Sequence, residues 1–340
     1  MMRATLALLV IGLTAVLGAP SYDPIVEKGW TLVPDENGNL KMVTLEELEF
    51  QYALAKRAKV VVKFTLYTRA NPTKGEEMVP NDAAWLAQSN FNPANPTRVI
   101  CHGWMGDGDS SVIVLNRDAY LSRGDYNVIG IDWSKGGGTI NYIAARANVN
   151  EAATQVASYL DFLTQHGLKY NDVYLIGHSL GAHVVGMTGK YINGKVNTIY
   201  GLDPAMPLFF ENKPDERLND SDAEYVQTIQ TNAGVLGFDV PIGNGAFYPN
   251  WGGDQPGCGL DIAGTCAHYR SWAYLAESIT DDLFWAVKCQ QGYEAIKEKY
   301  CPDKGSVALM GGEPSDHNAV GVYYLPTNTK EPYAKGKFFL

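Results

Sequence analysis

Val173-Tyr174-Leu175-Ile176-Gly177-His178-Ser179-Leu180-Gly181 decides the architecture. A short apolar strand runs into Gly-x-Ser-x-Gly, and a helical pattern over 182–192 follows without a spacer. Such a strand–turn–helix junction lifts a serine above the sheet edge in a strained conformation. Glycines are needed on both sides because the strand and helix backbones approach closely there. The helix start also aims main-chain amide dipoles at the negative charge that develops during acyl transfer. Ser179 is the candidate nucleophile.

Outward from this stretch, β-prone runs occupy 60–67, 98–101, 126–132, 172–176, 196–202, 225–230 and 320–325. Helical patterns lie between them. Val149, Ala152, Val156, Leu160 and Leu163 recur at helical spacing within about 141–166, and another helix is expected over about 269–288. Strands alternating with helices predict an α/β chain whose sheet is mainly parallel and covered on both faces.

A serine hydroxyl needs a base to take its proton. On this architecture the chain order is serine, acid, histidine. His268 and His317 are the two histidines beyond the helix that follows Ser179. His268 stands two residues past Cys266, where a disulfide would fix its loop, and it is the expected base. His317 lies among Glu313, Pro314 and Asp316 and reads as solvated surface. Asp203 ends the apolar run before Pro204, so it is the expected acid. Asp132 also ends a strand but precedes the serine and reads as structural. The oxyanion donors are expected to be the main-chain N–H groups of Leu180 and of Trp104, in the loop His102-Gly103-Trp104. His102, His178 and His183 read as structural side chains.

The chain has 340 residues, with 27 Lys and Arg against 37 Asp and Glu. The resulting charge of −10 argues against a nucleic-acid partner. Arg3, the apolar run over 4–17 and the end Val16-Leu17-Gly18 form a secretory signal pattern, residues 1–18. No later stretch is apolar over the length of a membrane span, so a secreted, extracellular protein is expected. In that oxidising setting, Cys258–Cys266 and Cys289–Cys301 are the simplest local disulfides, and Cys101 is left as a buried thiol. Residues 19–58 read as an extended N-terminal arm ending in a short helix capped by Thr44 and Glu47. Lys56-Arg57 is a candidate processing pair that would make the arm a propeptide. Residues 59–340 form the expected catalytic domain. Asn219-Asp220-Ser221 is an N-glycosylation pattern.

The chain resembles the pancreatic-lipase family of secreted α/β-hydrolases. The resemblance is carried by Phe64–Arg69, His102-Gly103-Trp104, 177–183, 201–205, Arg217-Leu218 with Ser221-Asp222-Ala223, and 266–271. It implies an α/β-hydrolase fold, a Ser179–Asp203–His268 triad, no cofactor, and an acyl-lipid substrate met at a lipid–water interface. Only seven residues separate Cys258 from Cys266, where larger members carry a long lid. That shortness resembles the phospholipase A1 branch and several insect lipases. No C-terminal β-sandwich, and hence no colipase, is expected. Members hold a structural calcium near the Arg-Leu stretch. A carboxylate expected two positions past Arg217 is Asn219 here, although Asp222 is kept, so no metal is expected.

Overall fold

The computed structural model describes residues 28–55, 57, 59–302 and 306–338. The export signal expected at 1–18 and Lys56 of the candidate processing pair lie outside them. A hairpin of β1 (Trp30–Pro34) and β2 (Leu40–Thr44) leads into α1 (Leu45–Ala55). The main sheet then takes β3 (Lys63–Tyr67), β4 (Glu76–Met78), β5 (Thr97–Cys101), β6 (Asn127–Asp132), β7 (Val173–His178), β8 (Thr198–Leu202) and β9 (Tyr225–Ile229). It is completed by β10 (Gly245–Pro249), β11 (Trp285–Lys288), β12 (Val307–Leu309) and β13 (Gly321–Leu325). The principal helices are α2 (Ser111–Arg123), α3 (Tyr142–Ala147), α4 (Val149–Gln165), α5 (Leu180–Tyr191) and α6 (Thr265–Thr280).

The sheet order is β12-β11-β13-β10-β9-β8-β7-β5-β6-β3-β4. Pairing is parallel from β13 through to β6 and antiparallel at both flanks. Every residue of β5, β7 and β8 is buried, as strands covered on both faces require. Side chains alternate across the sheet. Val99, Cys101 and Leu175 face Val156, Leu160 and Val184 of α4 and α5. Ile100, Ile176 and Tyr200 face Tyr120 of α2 and Tyr274 and Leu275 of α6. After β5 the chain first adds β6 on one side and later β7 on the other. The crevice opened by that reversal, at the carboxyl ends of β5 and β7, is where ligands bind in open α/β sheets.

Three local readings change. The helix expected over 269–288 begins earlier and ends at Thr280. Asp281 turns the backbone to an extended conformation, and Trp285–Lys288 joins the sheet as a strand. The helical region near 141–166 is two helices meeting at Asn148. The arm is not simply extended: residues 30–44 fold back as a hairpin, with Val33, Val43 and Leu48 buried in the main core. Thr44 Oγ1 accepts the Glu47 N–H at 3.2 Å and so caps α1. The strand β10 had no expectation at all. Among the described residues no β-sandwich accompanies the sheet.

Candidate active site

Ser179 stands at the junction of β7 and α5 with φ +58° and ψ −124°, a conformation a β-carbon resists. Such strain costs on the order of 1–3 kcal/mol and persists because the surroundings over-determine it. Its N–H donates to Leu202 O at 3.0 Å, and its carbonyl accepts the Ala205 N–H at 3.2 Å. The flanking glycines leave no alternative. A β-carbon at Gly177 would lie 2.2 Å from Gly181 O, and one at Gly181 would lie 2.4 Å from His102 O.

Asp203 follows β8 and is fully buried. Its Oδ1 accepts main-chain N–H bonds from Thr231 at 2.7 Å and Asn232 at 2.9 Å, in the turn after β9. Its Oδ2 lies 2.5 Å from Nδ1 of His268. Thr231 and Asn232 act through their backbones, so no side-chain type announced them in the sequence.

His268 sits in the first turn of α6 rather than in a loop. The Cys258–Cys266 disulfide ties that turn back, and Asp261 Oδ2 accepts the Ala267 N–H at 2.7 Å. His178 packs its ring 4.4 Å from the His268 ring and donates from Nε2 to His268 O at 3.2 Å. Burial drives the His178 pKa well down, which disfavours a positive charge beside the His268 ring. Ser179 and His268 line the same cavity, of about 640 Å³. No hydrogen bond joins their side chains among the described residues; in ligand-free sites such bonds often tighten only when substrate binds. Tyr142, Val112, Leu236, Tyr269 and Trp272 give the cavity an apolar and aromatic lining suited to an acyl chain.

The loop after β5 passes close over Ser179: a β-carbon on Gly103 would lie 2.8 Å from Ser179 Cβ. Buried His102 fixes its course. Its Nε2 accepts the Trp133 N–H at 3.2 Å, so Nδ1 carries the proton and donates to Gly103 O at 2.8 Å. The Gly106 N–H reaches the same carbonyl at 3.2 Å. In a planar trans peptide the C=O and the next N–H point opposite ways. Pinning Gly103 O on His102 therefore turns the Trp104 N–H away from that side. The Leu180 N–H opens α5, where no intrahelical partner exists for it. His102→Leu is expected to lower kcat by about tenfold to a hundredfold with little change in KM. His102→Asn, whose amide can donate to the same carbonyl, should restore most of it in steady-state kinetics.

The other sequence candidates lie elsewhere. His183 is buried, accepting the Leu218 N–H at Nδ1 (3.1 Å) and donating from Nε2 to Ala205 O (2.7 Å). Asp132 accepts the Ser134 N–H at 2.9 Å, in the turn after β6. His317 is exposed, stacked on Tyr225 and within 3.0 Å of Thr198 Oγ1, at the start of β8 and away from its Asp203 end. Cys289 and Cys301 are bonded, and Cys101 is a buried free thiol. The residues near Arg217 do not fit calcium. Buried Asp222 is already ion-paired with the Lys190 ammonium, and the Asn219 carboxamide donates to Asp220 and Ser221.

Burial holds the pKa of both His178 and His183 well below 6.5. As pH falls below 6.5, the unfolded chain takes up protons that these two folded side chains refuse. Stability from each is then lost at up to about 1.4 kcal/mol per pH unit. Asp222 opposes this: burial raises its carboxyl from 3.8 to about 6, so the folded chain gains between those values as pH falls. Between pH 6.5 and about 5 the two buried histidines outweigh this carboxyl. Thermal melts are expected to show Tm falling steadily as pH drops below about 6.5; a flat or rising Tm there would contradict the assignment.

Comparison with known proteins bears on this geometry. Residues 35–333 match the family model named Lipase. Pancreatic lipase-related protein 2 of Cavia porcellus is 33% identical, over 82% of this chain and 67% of its own. Lipase member H of Oryctolagus cuniculus is 37% identical, over 82% of this chain and 65% of its own. A human protein named inactive pancreatic lipase-related protein 1 is 36% identical, over 73% of this chain and 58% of its own. The chain thus spans about half to two thirds of the length of the curated relatives it matches. Among solved structures, an α/β hydrolase from a deep-sea metagenome library overlaps 53% of this chain and 72% of its own, at 15% identity and a TM-score of 0.29.

Proposed function

The chain belongs to the lipase family, and on that footing we propose that it is a secreted serine carboxylester hydrolase releasing fatty acids from acylglycerols, phospholipids or both. The observation that carries this reading is the convergence on one cavity of strained Ser179 and of His268, itself 2.5 Å from buried Asp203.

In the proposed reaction Ser179 Oγ attacks the ester carbonyl while His268 Nε2 takes its proton. Asp203 holds the Nδ1–H tautomer and stabilises the imidazolium. The Trp104 and Leu180 N–H groups receive the oxyanion. His268 then protonates the departing alcohol, and a water activated by the same base releases the fatty acid. Neither cofactor nor metal takes part, and no colipase is invoked. The sugar expected at Asn219 would stand on a turn that does not line the cavity.

A phospholipase A1 reading has its own support. The segment between Cys258 and Cys266 forms no helix before Thr265, so it cannot fold an amphipathic flap over the cavity. A mouth without such a flap admits a polar head group. Incubating the protein with a triacylglycerol and with a phosphatidylcholine, then identifying the acid and the remaining lipid, tests both readings. Release of sn-1 acid with accumulation of 2-acyl lysophospholipid would favour the phospholipase; no release from either lipid would remove the proposal and favour a non-catalytic lipid-binding chain.

A further inference from the structure

The catalytic cavity has a wall that lies outside the α/β core. Pro34, Glu36, Asn37 and Gly38, at the tip of the β1–β2 hairpin, line it together with Ser179 and His268. A β-carbon on Gly38 would touch Ala263 Cβ and Thr265 Oγ1, each at 3.4 Å, so the tip abuts the short Cys258–Cys266 segment. The tip is held in shape. Asp35 accepts the Asn37 and Asn39 N–H groups, each at 2.9 Å, and those bonds keep its carboxyl below the usual range.

The two faces of the hairpin differ. Its register pairs Leu32 with Met42 and Pro34 with Leu40, and directly opposed residues share a face. Val33 and Val43 on one face are buried in the main core. The other face carries Trp30, Leu32, Leu40 and Met42, all exposed among the described residues, Met42 at 66%. Pro34 belongs to the same row but lies in the cavity. An apolar track therefore runs along the hairpin surface and ends inside the active site. Beside the tip, on the short segment, Leu260 and Ile262 are 90% and 81% exposed. Exposed apolar side chains thus occur on both of the segments that meet at the tip, where a scattered surface would show them singly.

We propose that the N-terminal hairpin is the lipid-docking jaw of the enzyme: its outer face lies on a neutral or zwitterionic lipid surface and leads an acyl chain past Pro34 to Ser179. The proposal rests on the function inferred above. Continuity of the apolar row with the cavity, through Pro34, selects lipid as the occupant. The chain charge of −10 disfavours an anionic surface. Trp30, with Lys28 5.7 Å above its ring, has the amphipathic character favoured at membrane interfaces. On this reading, residues 30–44 stay with the enzyme and are not discarded as a propeptide.

The test uses the chain from residue 19 onward carrying Ser179→Ala, so that binding is read without turnover. Cosedimentation with phosphatidylcholine vesicles should show binding, weakened about tenfold or more by Leu32→Ser with Met42→Ser. In the otherwise unaltered enzyme the same pair should leave hydrolysis of a dissolved short-chain ester unchanged. A fluorophore on Leu32→Cys should shift to shorter wavelength when vesicles are added; buried Cys101 does not compete for the label. This second measurement stands whether or not the double variant folds. Vesicle binding unaffected by the two serines, no spectral shift, or a dimer that the two serines dissociate would each overturn the jaw. Failure of the unaltered enzyme on every ester would instead overturn the proposed function.

Discussion

Replacing Ser179 by alanine is expected to lower kcat by roughly five to six orders of magnitude on any ester the protein hydrolyses. The size follows from the loss of the covalent route. The oxyanion donors and the cavity would still bind substrate, so KM should change little and a small residual rate should survive. Alanine removes only the hydroxyl, and the strained backbone stays enforced by Gly177, Gly181 and the bonds to Leu202 and Ala205. A folded protein with full activity would place the nucleophile elsewhere. Steady-state kinetics with a thermal melt on the same sample separate these outcomes.

Asp203→Asn should cost about ten-thousandfold in kcat. The carboxamide is isosteric, and its oxygen can still accept from Thr231 and Asn232. Its NH₂ would then face Nδ1 of His268, where Oδ2 now lies at 2.5 Å. A donor opposite Nδ1 forces the proton onto Nε2, the atom that must accept from the serine. The imidazolium also loses its buried counter-charge. Activity lowered less than about tenfold would mean that another group orients the imidazole. Because both main-chain bonds persist, the melt should move far less than the rate.

What could be read in the sequence follows from what leaves a side-chain signature. The central strands announced themselves because parallel strands buried on both faces need unbroken apolar runs, as in Val99-Ile100-Cys101 and Val173–Ile176. The order serine, acid, histidine left His268 and His317, the neighbouring Cys266 favoured His268, and the strand end before Pro204 pointed to Asp203. Gly245–Pro249 was illegible because it opens with glycine and closes with proline, residues that ordinarily mark turns. Trp285–Lys288 merged with the preceding helical pattern, from which residues 281–284, opened by the extended Asp281, separate it. Around the site, the Asp203 contacts come from main-chain N–H groups, which any residue supplies. The hairpin did carry a signal, since Leu32, Val33, Met42 and Val43 surround Asn37-Gly38. The prolines at 20, 24 and 34 pointed instead to an extended arm. That its tip reaches the cavity depends on contacts across more than 200 residues of chain, from Gly38 to Ala263 and Thr265, which no local pattern contains.

In the proposed mechanism Ser179 is a nucleophile activated by His268 and Asp203. Reaction of the folded protein with a fluorophosphonate ester, followed by mass spectrometry of its peptides, tests it most directly. A single adduct on Ser179 is expected, formed with loss of ester hydrolysis and greatly slowed in the Asp203→Asn protein. An adduct on a different serine, or hydrolysis that continues after Ser179 is fully labelled, would contradict it.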